Sequence, residues 1–437
     1  MTTKSTHNIF FRIFLPVAVA LTAFCSCDEC GPDTTPSEDR KVLLLYSAGH
    51  NSISSYLKED IEDLCKGWTP TIKGTDDVLL VYSHQPKSRG QYTAGNPPVL
   101  MRIYHDPEGV VIRDTLVTYP VESISASAQQ LNEVLTYVKD NFIARSYGMV
   151  FSSHATGYLP AGFYSKPNDY SYDEGMTFSI GRGRSRTAGP KAVPYVEPET
   201  DPDLPAVKSV GQTVVGKLAY EMELTDFAEA IPMKLDYILF DACLMGGIEV
   251  AYELAGKTDL VGFSQAEVLA EGFNYTSLAD HLLGNKQEYD VYNVCKDYFD
   301  QYDIQTGVNR SATISLVDCS KLEPVAEVCS RLFSKYSEGL ENIRPNDVQR
   351  YYRSSHHWFY DLESIIANAG ATAEEIAELQ AVIEGCMLYK GATPSFLGEF
   401  DIHTFSGFSM YLPCNGNPEL DKFYMSLKWN QATALVK

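Results

Sequence analysis

Basic residues are in short supply in this sequence. Its 437 residues hold 35 Lys and Arg against 57 Asp and Glu, a formal net charge of -22. A surface of that sign repels phosphate backbones, which excludes nucleic acid as a partner class. Long hydrophobic runs are also missing. The run from Ile13 to Ala23 is too short to span a bilayer, but with Lys4 and Arg12 before it, it suits the apolar segment of a secretory signal. No later run is long enough either. Cysteine forms no dense, regular framework of the kind that staples small secreted domains. Beyond three in the leader, Cys65, Cys243, Cys295, Cys319, Cys329, Cys386 and Cys414 are scattered, and most read as small buried residues. Several catalytic signatures are absent as well. There is no H-E-x-x-H, and Gly181-Arg-Gly-Arg-Ser-Arg186 lacks the third glycine of a dinucleotide loop. Gly262-Phe-Ser-Gln-Ala266 and Gly407-Phe-Ser-Met-Tyr411 lack the second glycine of a nucleophile elbow. No regular calcium loop is visible.

What is present is an apolar content of 44%, that of a folded globular protein. The length suits one large domain with additions, or two. Short apolar runs alternate with amphipathic stretches: strands at Val42–Tyr46, Val78–Tyr82, Val99–Tyr104 and Gly148–Phe151, a ribbon at Val110–Thr118, and helices at Ile53–Leu64, Ser127–Phe142 and Glu221–Ile231. That alternation predicts an α/β fold, a mostly parallel sheet with helices on both faces, whose ligands bind at the carboxyl ends of the strands. Beyond Glu288 the pattern turns more helical (Val291–Tyr302, Lys321–Tyr336, Ala373–Tyr389), with strands at Ser311–Val317 and Phe408–Leu412. The expected organisation is a leader over 1–26, an acidic tether over 27–40, a catalytic domain over 41–287 and, over 288–437, a C-terminal helical part with strands, packed on the core. Residues 176–211, rich in Gly, Pro, Arg and acids, read as an exposed inserted loop. In the leader, Phe24-Cys-Ser-Cys-Asp-Glu-Cys30 resembles a bacterial lipobox, with Cys27 as the lipidated residue ahead of Cys25. The acids that follow resemble the surface-export signal of Bacteroidetes lipoproteins. A redox C-x-x-C over Cys27–Cys30 is the weaker alternative, since no βαβ unit surrounds it.

The most informative stretch is Leu235-Asp-Tyr-Ile-Leu-Phe-Asp-Ala-Cys-Leu-Met-Gly-Gly-Ile-Glu-Val250, a buried strand that stops at an Asp, an Ala and a Cys. Residues two apart on a strand face the same way, so Asp241 and Cys243 project together from the sheet. Helical spacing from Ile248 onward predicts that Cys243 opens a helix, whose N-terminus would favour a thiolate and lower the thiol pKa. Backbone N–H groups there would suit an oxyanion. The bland alternatives are a buried structural cysteine and, for Asp241, a helix cap. A thiolate nucleophile needs a base. His154, in Gly148-Met-Val-Phe-Ser-Ser-His-Ala-Thr-Gly-Tyr158, also follows a buried strand and is the best placed of nine histidines; His50 follows the first strand.

Asp241-Ala-Cys-Leu-Met-Gly-Gly-Ile-Glu-Val-Ala-Tyr-Glu-Leu254 closely resembles the nucleophile segment of clostripain-family cysteine peptidases, relatives of caspases and gingipains. Leu45-Tyr-Ser-Ala-Gly-His-Asn-Ser-Ile-Ser-Ser-Tyr-Leu57 is similar to the family's first strand and helix, and Phe151-Ser-Ser-His-Ala-Thr-Gly-Tyr158 to its histidine segment. Phe263-Ser-Gln-Ala-Glu, Gly272-Phe-Asn-Tyr275, Tyr360-Asp-Leu362 and Ser406-Gly-Phe-Ser-Met-Tyr-Leu-Pro413 resemble later segments. The resemblance implies a caspase-like fold and an endopeptidase acting after Arg or Lys. Cys243 would be the nucleophile, His154 its partner, Asp241 the selector of the basic side chain, and the amides of Cys243 and Ala155 the oxyanion site. Protein or peptide substrates and the outer membrane, through a lipid anchor, are the implied partners. No cofactor is implied, with calcium left as a possible, unplaced ion. Members are often made as precursors cut between the histidine and cysteine segments, which makes Arg182, Arg184, Arg186, Lys191 and Lys208 candidate self-cleavage sites. The family usually has Gly after the histidine and an aromatic two residues before it; here Ala155 and Ser152 stand there. An inactive surface lipoprotein that uses this fold as a binding module is the rival expectation.

Overall fold

A computed structural model describes residues 39–72, 77–88, 90–172, 191–196, 203–208, 212–284, 288–353 and 357–437. Strand β1 (Lys41–Ala48) is buried at every position, as a continuous apolar run must be when both faces of a sheet are covered. It is followed by α1 (Ser54–Lys66), β2 (Val78–His84), β3 (Val99–His105), β4 (Val111–Thr118), α2 (Ala128–Asn141) and β5 (Ser146–Ser152). Next come three short strands, β6 (Lys191–Pro194), β7 (Thr213–Val215) and β8 (Leu218–Glu221), which form a sheet of their own. The chain returns through α3 (Leu224–Ala230), β9 (Leu235–Asp241), α4 (Ile248–Leu254), β10 (Thr258–Phe263), α5 (Tyr275–Leu283) and α6 (Val291–Asp303). Strand β11 (Thr313–Asp318), helix α7 (Glu323–Lys335) and strand β12 (Met387–Ala392) complete the elements used below.

The central sheet has nine strands in the order β12-β11-β10-β9-β5-β1-β2-β3-β4. Strands β10, β9, β5, β1 and β2 are mutually parallel; β11 and β3 run against their neighbours, and β12 and β4 reverse again. Seven of the nine therefore point one way, the mostly parallel α/β sheet expected. Alternation along β9 shows the two covered faces. Phe240 meets Phe227 of α3 and Phe151, while Asp241 turns toward α1 and α5.

Three differences from the expected elements have physical causes. The helix over Glu221–Ile231 starts only at Leu224, because Leu218–Glu221 pairs with β6 and β7 across a turn where Gly216 has φ of 63°. The helix over Ala373–Tyr389 stops at Cys386, and Met387–Ala392 becomes an edge strand because β11 offers it a ladder. Strands β11 and β12, both beyond residue 288, belong to the same sheet as β1. Among the described residues no helix is long and apolar enough to cross a membrane.

Candidate active site

Asp241 ends β9, Ser152 ends its neighbour β5, and the two are paired in register. Paired residues of parallel strands emerge on one face, so their side chains meet: Ser152 Oγ donates to Asp241 Oδ2 at 2.9 Å. Two residues further on, the two chains carry Cys243 and His154. After Cys243 the backbone turns sharply. Leu244 adopts φ of 63°, a left-handed conformation that costs a side-chain-bearing residue about 1–2 kcal/mol. Its N–H is tied to Ala266 O at 2.9 Å, which holds the turn. Gly246 lies against the chain crossing at Gln265; a Cβ there would stand 2.5 Å from the Gln265 nitrogen, so no side chain fits.

Helix α4 begins at Ile248, with Gly247 at its cap. Cys243 therefore does not open the helix, and Asp241 is not its cap; the turn needs the intervening residues. The thiol gains nothing from a helix N-terminus. Instead it is fully buried, and burial pushes its pKa well up, with the Glu267 carboxylate adding to the effect. The Val268 N–H, donated to Sγ at 3.0 Å, works in the opposite direction.

His154 is equally enclosed. Burial lowers its pKa to about 3, with the backbone of Lys208 opposing and the Lys208 ammonium adding a smaller lowering, so the ring is neutral. Its Nε2 lies 2.9 Å from Ser52 Oγ, in the turn between β1 and α1. Nδ1 has no hydrogen-bond partner among the described residues. Ala155 follows, also buried.

The group that covers both is part of the chain itself. Residues 206–208 run antiparallel to 268–270: Lys208 N donates to Val268 O and Ala270 N to Ala206 O, both at 2.9 Å, with Val207 bridged to Leu269. The Lys208 side chain is fully buried. Its Nζ is ion-paired with Asp241, and lies 3.3 Å from Asp60 Oδ2 and 3.4 Å from Ser152 Oγ. Tyr275 OH donates to Asp241 Oδ2 at 2.6 Å. Burial alone would lower the ammonium pKa, but Asp241 and Asp60 outweigh it and the pKa is raised. Burial raises the Asp60 pKa well above the usual carboxylate range; Asp241 adds to this and Lys208 opposes it.

Lys208 was expected in an exposed loop, and that expectation is corrected: two carboxylates and a strand partner draw it inside. Lys191 sits on β6, half-buried, with Nζ 4.6 Å from the centre of the Tyr170 ring. Arg182, Arg184, Arg186 and Cys27 lie outside the described residues. His50 packs rather than reacts: Nδ1 is 2.6 Å from Val214 O and the ring stacks on His84. Sequence reasoning missed Ser52, Asp60 and Tyr275. Only Asp60 carried a signal, as an acid among Leu57, Ile61 and Leu64 on the buried stripe of α1. An open cavity of about 450 Å³ lies elsewhere, between α1 and the β3–β4 edge near Lys58 and Arg113. A smaller cavity of about 50 Å³ lies beside His154, lined by Ser153, Ala155, Thr156, Phe240 and Met245, among others. Among the described residues no group of three or more His, Cys, Asp or Glu could hold a metal ion.

Comparison with known proteins agrees with this fold. The chain resembles an inactive zymogen C11 protease from Parabacteroides distasonis, at 24% identity and a TM-score of 0.68, over 91% of this chain and 98% of that one. It also resembles a secreted C11 cysteine protease from Bacteroides thetaiotaomicron, solved with an irreversible peptide inhibitor, at 21% identity and a TM-score of 0.67, over 91% and 99% of the two chains. No curated protein matches significantly. The Clostripain family model matches residues 45–179 and 205–431, breaking only across the segment that precedes the buried lysine, and the chain thus belongs to the clostripain family of cysteine peptidases.

Proposed function

We propose that this protein is an endopeptidase that cuts after Lys or Arg through Cys243 and His154, and that it is made as a precursor that cuts itself after Lys208. One observation carries this reading: residues 206–208 pair antiparallel with 268–270 through backbone hydrogen bonds, with a basic side chain on Asp241 beside the proposed nucleophile. Extended peptides bind by backbone pairing of this kind, the backbone supplying affinity and the side-chain pocket selectivity. The P. distasonis protein, solved as an inactive zymogen, offers a parallel.

The chemistry follows from the side chains. With Nε2 engaged by Ser52, Nδ1 of His154 is the nitrogen left to take the thiol proton. Cys243 Sγ then bonds to the carbonyl carbon of Lys208, and the amides of Cys243 and Ala155 hold the oxyanion. His154 returns its proton to the amine of Ser209 as the peptide bond breaks, and water hydrolyses the thioester. We assign the reaction no cofactor, so EDTA should leave the rate unchanged.

Export and lipidation at Cys27, with the outer membrane as the resting place, belong to the same proposal, supported by the leader sequence. The test is side-by-side incubation of wild type and Cys243→Ala. A new amino terminus at Ser209 in wild type alone, with hydrolysis of peptides ending in Lys or Arg, is the expected result. A split in both proteins, or no hydrolysis of any peptide after nicking at Lys208, would return the chain to the binding-module reading.

A further inference from the structure

On the peptidase reading above, we infer that the pocket selects lysine over arginine, and that Asp60 is the residue that makes it do so. The ammonium of Lys208 meets three acceptors that come from three elements: Asp241 of β9, Asp60 of α1 and Ser152 of β5. An ammonium has three N–H donors set around a point, and here each has an acceptor of its own. A guanidinium is a flat fork that suits one carboxylate approached edge-on through both oxygens. Asp241 does not present itself that way. Its Oδ2 already accepts from Ser152 and Tyr275, and its Oδ1 has no partner among the described residues.

The far end of the pocket is closed. Gly272, at φ of 63°, lies so near that a Cβ there would stand 2.6 Å from Lys208 Nζ, and the Tyr275 hydroxyl fills the other side. Arginine carries one more atom along its chain before the charge divides. Its plane would overrun the point where the three acceptors converge and meet Gly272. Asp60 adds a second charge at the point where the ammonium sits. Both aspartates are buried, so the second carboxylate is retained at the cost of desolvation. A bound cation offsets that cost, and an ammonium touching both acids does so best.

The test has two arms. In the first, matured wild type and Asp60→Asn hydrolyse peptides that differ only in Lys or Arg before the cut. Lysine should lead by about tenfold or more in wild type, and Asp60→Asn should remove most of that lead, as one hydrogen bond to a charged group is worth about that much. The second arm needs no peptidase activity. In Cys243→Ala, trypsin probes the 208–209 bond, with Lys208 kept or replaced as Lys208→Arg. Lysine should be protected, and the arginine variant cut at least about tenfold faster, because its side chain cannot seat. Equal hydrolysis of the two peptides, a ratio unmoved by Asp60→Asn, or equal protection from trypsin would overturn the inference. If no basic peptide is cut while trypsin still separates lysine from arginine, the peptidase reading falls and the lysine pocket stands.

Discussion

At the scale of single residues, the fold keeps both Cys243 and His154 neutral. Burial opposes charge on both partners, holding the Cys243 thiol protonated and the His154 ring unprotonated. On the proposed mechanism Ser52 orients the imidazole, since its Oγ holds Nε2 at 2.9 Å. Ser52→Ala should lower kcat by roughly tenfold, the scale of one lost orienting hydrogen bond, while KM moves little. A loss confined to KM, measured on a lysine peptide, would show that Ser52 serves binding instead. Residues of this kind were legible only in part. Cys243, His154 and Asp241 announce themselves by type and by position at strand ends. Ser52 and Tyr275 do not, because a hydroxyl in a turn and one at a helix start are common and carry no chemistry until the fold brings them to a partner.

At the scale of elements, the covering segment is the feature that the sequence hid best. Leu204-Pro-Ala-Val-Lys208 is too short for a period, and its partner 268–270 also lies outside any regular strand. Pairing of two irregular segments is a tertiary event with no local signal. The expected strand of β1 and helix of α1 are the opposite case: an unbroken apolar run and a 3.6-residue stripe each specify themselves. The segment also bears on stability. Lys208→Met would leave Asp60 and Asp241 facing one another without a cation. Removing one partner of a buried ion pair costs about 3–5 kcal/mol. The pH dependence has a definite sign. Asp60 has a folded-state pKa raised above its unfolded value, so the folded state prefers the protonated acid. The stability this gives is present at low pH and lost as pH rises through the folded pKa. Without the Lys208 cation the preference grows. The Tm deficit of Lys208→Met should therefore be small near pH 4 and widen toward pH 8, as read by calorimetry. A deficit that narrows with rising pH would contradict the buried pair.

At the scale of the whole molecule, residues beyond 288 are part of the core that presents the site. Strand β11 pairs with β10, and β12 with β11, so the sheet that carries Asp241 continues into them. On the other side of the site, Tyr158, four residues after His154, donates to Trp358 O at 2.6 Å and packs on Phe359, Tyr411 and Tyr424. Glu249 of α4 accepts from Tyr411 N and Tyr424 OH at 2.9 and 2.7 Å. The boundary expected at 287 follows a shift in pattern from strands to helices, but edge strands are short and their membership of a sheet depends on partners far along the chain. A protein made of residues 39–287 would expose the flank of β10 as a bare edge and strip the apolar cover from Tyr158 and Glu249. It should show no cooperative thermal transition on its own and should aggregate. Co-expression with residues 288–437 should restore a soluble complex with the melting behaviour of the full chain. A cooperative, monomeric 39–287 would instead mean that the catalytic half folds by itself and that the C-terminal strands only dock onto it.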